Sequence, residues 1–351
     1  MALTNTIKEK ISIEVIKTLV TRFDNFPEDA SNNRNAPFHE AFLNAFSDKL
    51  NSKVSDTPFF ISLSSWLQGL NTTLGQTFFE NIAHHLSHGE KREYTSKKRG
   101  NLQITKRQKD NVTDIITDLS TSNVLPNLTN EDTMIFQNYN PPLVNAIDFS
   151  ADVFIEDANT VTAIELKSVK PNSGEMRGEK QKILEGKSAL FRKFPGKQIH
   201  FYIGFPFDPT VNPNTESITS YNKSRFLDSI INMAKYFASD ETLIANELWD
   251  LLSGQQNTME DILAIINSIS TTSFLQKFEL LVDNSKRNTV DYRTQLEEWS
   301  LFSEIELIDN NSVLLRNIEN DRALTRIYNK RAFDNRGNYN TDRYNSLKKI
   351  L

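Results

Sequence analysis

Apolar residues change their spacing twice along the chain. Over Ile7 to Phe23 and His39 to Leu50 they recur every three to four residues, which predicts helices joined by polar loops such as Ser31-Asn32-Asn33-Arg34-Asn35. Residues 72 to 88 repeat that spacing, with Phe78, Phe79, Ile82, Ala83 and Leu86 on one stripe and Glu80 at its margin. Thr73 and Gln76 have capping-box spacing at the start of this helix, and Gly89 suits its end. From Met134 to Phe207 the period drops towards two. Strands are expected near Ala151–Glu156, Val161–Ser168 and Gln198–Phe205, with a helix over roughly Met176 to Phe194 between the last two. Beyond Asn214 helical spacing returns in Arg225–Phe237, Glu241–Leu252, Met259–Ile269 and Tyr292–Phe302. This is an α/β pattern: a mixed central β-sheet flanked by helices, with helical N- and C-terminal extensions. The expected division is a helical region over 1–70, a core over 71–210 and a helical region over 211–351.

Composition narrows the class. The chain has 351 residues, 38% of them hydrophobic, and a mean hydropathy of −0.48, which suits a globular protein with a sizeable core. No window approaches the ~18 uninterrupted apolar residues of a membrane span, and Met1 to Lys10 is too polar for a secretory signal. Cysteine is absent, so disulfides and thiolate–zinc sites are excluded and a cytoplasmic location is expected. The net charge of −5 shows that the molecule as a whole is not a polycation. Local concentration of basic residues on one face remains open.

Candidate chemistry sits in the central strands. Asp157-Ala158-Asn159-Thr160 is a polar turn suited to a hairpin between the first two. Folding there places Asp152 opposite Ile164 or Glu165, where cross-strand Cβ atoms lie about 4.5–5.5 Å apart. Glu165 and Lys167, two residues apart, share a face. Two neighbouring carboxylates repel, and a divalent cation compensates them well. Mg²⁺ accepts one or two carboxylates together with waters and phosphate oxygens. Asp148 is the competing acid, since a slipped register would exchange it for Asp152. A bland alternative is a solvated strand face carrying a Glu–Lys pair. Likewise Glu80 could be an ordinary surface carboxylate, and His84 and His88, which continue its row, are either a metal stripe or helix-end groups near phosphate.

Charge is unevenly distributed. Lys91 to Lys109 holds eight basic residues, Lys91, Arg92, Lys97, Lys98, Arg99, Lys106, Arg107 and Lys109, against one acid, Glu93. Lys170, Arg177, Lys180 and Lys182 crowd the end of the Glu165 strand and the next helix. A C-terminal set, including Arg322, Arg326, Lys330, Arg331, Arg336, Arg343, Lys348 and Lys349, is interleaved with tyrosines. Phosphate contacts of this kind supply most non-specific affinity for DNA, although such runs also occur as solvated faces.

The arrangement Asp152-x₁₂-Glu165-Leu166-Lys167 across a hairpin resembles the PD-(D/E)xK nuclease superfamily, with Ala151-Asp152 standing for its Pro-Asp. Leu74-Gly75-Gln76, Phe79-Glu80-Asn81-Ile82-Ala83 and the Lys-Pro-Asn-x-Gly-Glu run after the strand resemble type II restriction endonucleases of the TdeIII type. The likeness covers roughly residues 66 to 208. It implies a restriction-endonuclease-like core and Mg²⁺-dependent cleavage of double-stranded DNA at a short site, leaving 5′-phosphate ends. It further implies a homodimer, a site of the GGNCC type, no nucleotide cofactor and no membrane partner. Under it, Asp152, Glu165 and Glu80 hold metal and Lys167 acts on the attacking water. Lys91, Arg92, Lys97, Lys98, Arg99, Lys170, Arg177 and Lys180 would contact DNA. A repair or recombination nuclease on the same core, a decayed DNA-binding module and a scaffold for acidic partners are the rival readings.

Overall fold

The computed structural model describes residues 3–28, 41–46, 50, 53–54, 56–167 and 173–351. Two compact units make up the chain. One comprises residues 1–3 and 79–263, the other 4–78 and 264–351. This differs from the expected three-way division at 70 and 210. The two helical ends belong to a single unit, and the first unit runs on to 263 because a further strand lies beyond 210.

The first unit is built on a five-stranded mixed sheet. In chain order its strands are β1 (Glu90–Tyr94), β4 (Phe149–Glu156), β5 (Thr160–Leu166), β6 (Gln198–Phe205) and β7 (Thr242–Ile244). A separate two-stranded ribbon pairs β2 (Gln103–Thr105) with β3 (Leu143–Asn145). The large sheet runs β1-β4-β5-β6-β7, with β1/β4 and β4/β5 antiparallel and β5/β6 and β6/β7 parallel. The hairpin between β4 and β5 turns at the predicted place. The Asp157 N–H donates to the Thr160 carbonyl at 2.9 Å, and the Thr160 hydroxyl donates to the Asp157 carboxylate at 3.1 Å. Parallel pairing of β5 with β6 requires a crossover, and the Ser173–Lys193 helix provides it.

Phe149, Ala151, Val153, Phe154, Val161, Ala163 and Ile164 are all buried, so β4 and β5 are covered on both faces. The crossover helix packs closely enough that a Cβ on Gly186 would meet Phe201 Cε1 at 2.8 Å. Its other inward residues include Lys180, fully buried, whose ammonium contacts Glu131 at 2.6 Å and also Glu241. Burying a lone ammonium is prohibitive, and two carboxylates make it tolerable here.

The segment expected as one helix over 72–88 is the later part of a longer helical stretch. A helix over Thr57–Thr73 is capped by Asp56, a π-turn covers Leu74–Phe78, and a helix follows over Phe79–Ser87. Thr73 is therefore not a cap; its hydroxyl donates to the Gly69 carbonyl within the helix. Downstream, the Arg225–Phe237 expectation resolves into Lys223–Ser229 and Met233–Tyr236, and Glu241–Leu252 into β7 and an Asn246–Ser253 helix. Tyr292–Phe302 is broken at Ser300, whose φ is 54°. Of the expected His39–Leu50 helix, residues 41–46 and 50 are described; 41–43 are helical and Asn44–Phe46 form a 3-10 turn, while 39–40 and 47–49 lie outside the described residues.

The second unit is helical and aromatic-rich. Phe274 stacks on Phe23 at 5.6 Å and on Trp299 at 5.5 Å, and Phe278 meets Phe333 edge-on. Glu9, on the Asn5–Phe23 helix, accepts hydrogen bonds of 2.7 Å from the Ser303 amide and hydroxyl. Arg343, buried, donates to both oxygens of buried Glu304 at 2.7 and 3.0 Å. Among the described residues no helix is long and apolar enough to cross a membrane.

Candidate active site

The hairpin brings the acids together because of its register. Val153 pairs with Ile164, and continuing the antiparallel ladder one residue sets Asp152 against Glu165. The side chain of Asp152 bends along its neighbour strand, where its Oδ2 accepts the Leu166 N–H at 2.9 Å. Both acids are nearly buried, Asp152 at 8% and Glu165 at 6% exposure. Asp148, the competing acid, is exposed and accepts from the Asn101 side chain.

Glu80 reaches the same place from the Phe79–Ser87 helix. That helix is held over β4 by His84, whose Nε2–H donates to the Asp152 carbonyl at 2.6 Å. His84 thus anchors the helix and does not extend a metal stripe. His88 lies past the helix end with φ 55°. Gly89 follows in a tight passage, since a Cβ there would meet the Phe154 carbonyl oxygen at 3.0 Å.

Three ammonium groups interleave with the acids. Lys91, on β1, contacts Glu80 Oε1 at 2.8 Å and Asp152 Oδ1 at 3.0 Å. Lys167 lies 3.0 Å from Glu179, 3.4 Å from Glu165 and 3.4 Å from Glu175. Lys182 lies 2.7 Å from Glu165 Oε1 and 3.0 Å from Glu179. Burial and the neighbouring Asp152 raise the Glu165 pKa, with Lys182 and Lys167 opposing them. Burial likewise raises Glu80, assisted by Asp152 and opposed by the Lys91 hydrogen bond. Against its own burial, Lys167 is pushed up by Glu165 and Glu179, so it is held protonated. Glu179 goes the other way: although it is buried, Lys182 and Lys167 lower its pKa.

Among the described residues no three acidic or imidazole groups close around one point as a ready-made metal cage. The donors nevertheless suit a hard divalent cation, which needs only one or two carboxylates beside water and phosphate oxygens. Glu165 Oε2 is buried with no hydrogen-bond partner among the described residues. Such an atom is costly unless something positive meets it. Lys91 already sits as a cation between Glu80 and Asp152. Asp152 and Glu165, with Glu80 beside them, are the residues that would hold the ion.

Several residues expected at DNA are placed otherwise. Lys180 is a correction: wholly buried between Glu131 and Glu241, it cannot meet a phosphate. Lys91 points its ammonium into the acidic centre. Arg92 lies over the Phe154 ring at 3.9 Å and pairs with Glu90 and Glu156. Lys97, Lys98 and Arg99 are exposed on the turn after β1, and Arg177 is exposed on the crossover helix. Lys170 lies outside the described residues. In the C-terminal set, Arg343 is buried against Glu304 and Lys348 pairs with Glu306. The reading of residues 91–109 as one basic run overlooked that most of it is folded, in β1, in β2 and in the Lys106–Ser120 helix. Conversely, Glu175, Glu179 and Lys182 belong to the centre, and the spacing i, i+4, i+7 on the helix after the Glu165 strand was their signal.

A carboxylate pair across a β-hairpin, an acid from the preceding helix and a lysine two residues past the second carboxylate define a nuclease core of the restriction-endonuclease type. The comparisons agree. Residues 3–270 match the family described as type II restriction endonuclease, HinfI. Over 98% of its length the chain is 42% identical to the type II restriction enzyme MjaII of Methanocaldococcus jannaschii, covering 96% of that enzyme. This chain belongs to the HinfI family of type II restriction endonucleases. It is therefore a site-specific endonuclease whose substrate is DNA, of a class that generally needs a divalent metal ion. The type II restriction endonuclease that the sequence motifs resemble is what the family match shows.

Proposed function

We propose that the chain cuts both strands of DNA at a short site with Mg²⁺ held by Asp152 and Glu165, Glu80 supporting them directly or through water. The observation that carries this reading is the hairpin register that sets Asp152 beside Glu165 with Lys167 on the same strand end. When bound, the ion supplies a Lewis acid at the phosphate and eases loss of a proton from water. The protein's own contribution is positional. The Leu166 N–H fixes the Asp152 carboxylate, and Lys91 holds Glu80 against it. Lys167, held protonated by Glu165 and Glu179, suits donation to the attacking water or to the charge that grows on the phosphate oxygens. Water attacks phosphorus and the 3′ oxygen departs and takes up a proton, leaving 5′-phosphate and 3′-hydroxyl ends.

A GGNCC-type site, action as a homodimer without a nucleotide cofactor, and a role in cytoplasmic restriction–modification defence complete the proposal. Two-fold symmetry in the protein matches two-fold symmetry in a palindrome most simply. Plasmid digestion with Mg²⁺ and no nucleotide, followed by sequencing of the ends, tests it. The expected result is a discrete band pattern with 5′-phosphates at GGNCC-type sites, abolished by EDTA. Asp152→Ala and Glu165→Ala are expected to abolish cutting while binding to duplex DNA survives. Cutting that continues in EDTA, or in both variants, would refute the assignment.

A further inference from the structure

The ammonium nearest to Glu165 does not come from its own strand. Lys182, on the Ser173–Lys193 helix, lies 2.7 Å from Glu165 Oε1, whereas Lys167 stands 3.4 Å from the same oxygen. Glu175, Glu179 and Lys182 recur at i, i+4 and i+7, which puts them on one helix face. That face meets the end of β5. Glu179 offers one oxygen to each lysine, both at 3.0 Å, and so keeps Lys167 and Lys182 apart and oriented. Only 18% of each lysine side chain is exposed, so neither is a loose surface group.

Glu165 is therefore divided. Its Oε1 is taken by Lys182, and its Oε2 is buried with no hydrogen-bond partner among the described residues. We propose that Lys182 is a positioning residue of the nuclease centre: it occupies one oxygen of Glu165 so that only the other is presented to the divalent ion. This inference rests on the reading of Glu165 as a ligand. Without Lys182, Glu165 Oε1 keeps only the longer 3.4 Å contact with Lys167 and opens to the ion, and a nearby positive charge that opposes it is gone. Binding of the ion then tightens, while sites on it that water and phosphate need are lost to the second carboxylate oxygen.

The test measures Mn²⁺ binding by electron paramagnetic resonance, and kcat and KM on a plasmid or duplex substrate, for the wild type, Lys182→Met and Lys182→Arg. In Lys182→Met, Mn²⁺ is expected to bind about tenfold more tightly, and kcat to fall on the order of ten- to a hundredfold, with KM unchanged. Lys182→Arg, which keeps the charge and a donor, is expected to recover much of both. Wild-type kcat and Mn²⁺ affinity in Lys182→Met would overturn the proposal. So would a loss of activity with unchanged Mn²⁺ affinity that Lys182→Arg does not repair, which marks a purely structural lysine. If Lys182→Met fails to fold, the same measurements on Lys182→Gln decide. A wild type that binds no Mn²⁺ and cuts in EDTA overturns the metal reading itself, and is distinguished from the other results by needing no variant.

Discussion

At the scale of single residues, the centre is a balance of buried opposite charges. Carboxylates that repel one another are held within reach by ammonium groups that touch two or three of them each, as Lys91 and Lys167 do. Lys167→Met removes the cation nearest the strand end and is expected to lower kcat on the order of 10²–10⁴-fold. Binding to duplex DNA in the presence of EDTA should stay near the wild-type level, as measured by filter binding or anisotropy. A variant that loses binding in parallel with cutting would place Lys167 at the DNA phosphates. The exposed cations behave differently. Replacing Lys97, Lys98 and Arg99 together by alanine is expected to reduce the slope of log affinity against log salt by about 2–3. An unchanged slope would remove that turn from the DNA interface.

At the scale of elements, the site depends on how helix and strand meet. Gly186 lets the crossover helix lie on Phe201 and Phe149, where an added Cβ would stand 2.8 and 3.2 Å from their rings. Gly186→Val is expected to destabilise the protein by about 1–3 kcal/mol through overpacking, read as a lower urea midpoint with an unchanged m-value. The β4–β5 hairpin was readable in the sequence because its strands alternate, its turn is polar and its acids fall at a fixed distance from that turn. β1 was not, for a physical reason: Glu90-Lys91-Arg92-Glu93 is an edge strand, and edge strands carry charge that blocks further pairing. From sequence alone such a strand looks like a basic run. β7 was missed because its three buried residues run into the apolar spacing of the next helix. Lys180 was misread since its partners Glu131 and Glu241 are remote in sequence, and no local pattern distinguishes a buried lysine from a solvated one. Lys182 went unassigned for the converse reason: its role depends on which helix face meets β5.

At the scale of the whole molecule, two ways of stabilising buried charge coexist. In the first unit ammonium and carboxylate groups surround a functional centre. In the second, the Arg343–Glu304 pair, with Tyr339 donating to Glu304 at 2.8 Å, ties the C-terminal Thr341–Lys348 helix to the Phe302–Asp309 helix. Arg343→Met leaves Glu304 buried without its counter-ion and is expected to cost about 3–5 kcal/mol, seen as a lower denaturation midpoint. A change below ~1 kcal/mol would show that Tyr339 alone suffices to hold the carboxylate.

The second unit is also discontinuous: in sequence, residues 4–78 and 264–351 lie on either side of residues 79–263 of the first. During synthesis the amino-terminal helices emerge first and must wait for residue 303 before Glu9 can find Ser303. The segment that carries the acidic centre, 79–263, is complete before that closure. Nascent chains released before residue 264 would carry the acidic centre while the amino-terminal helices of the second unit still lacked the partners that residues 264–351 supply.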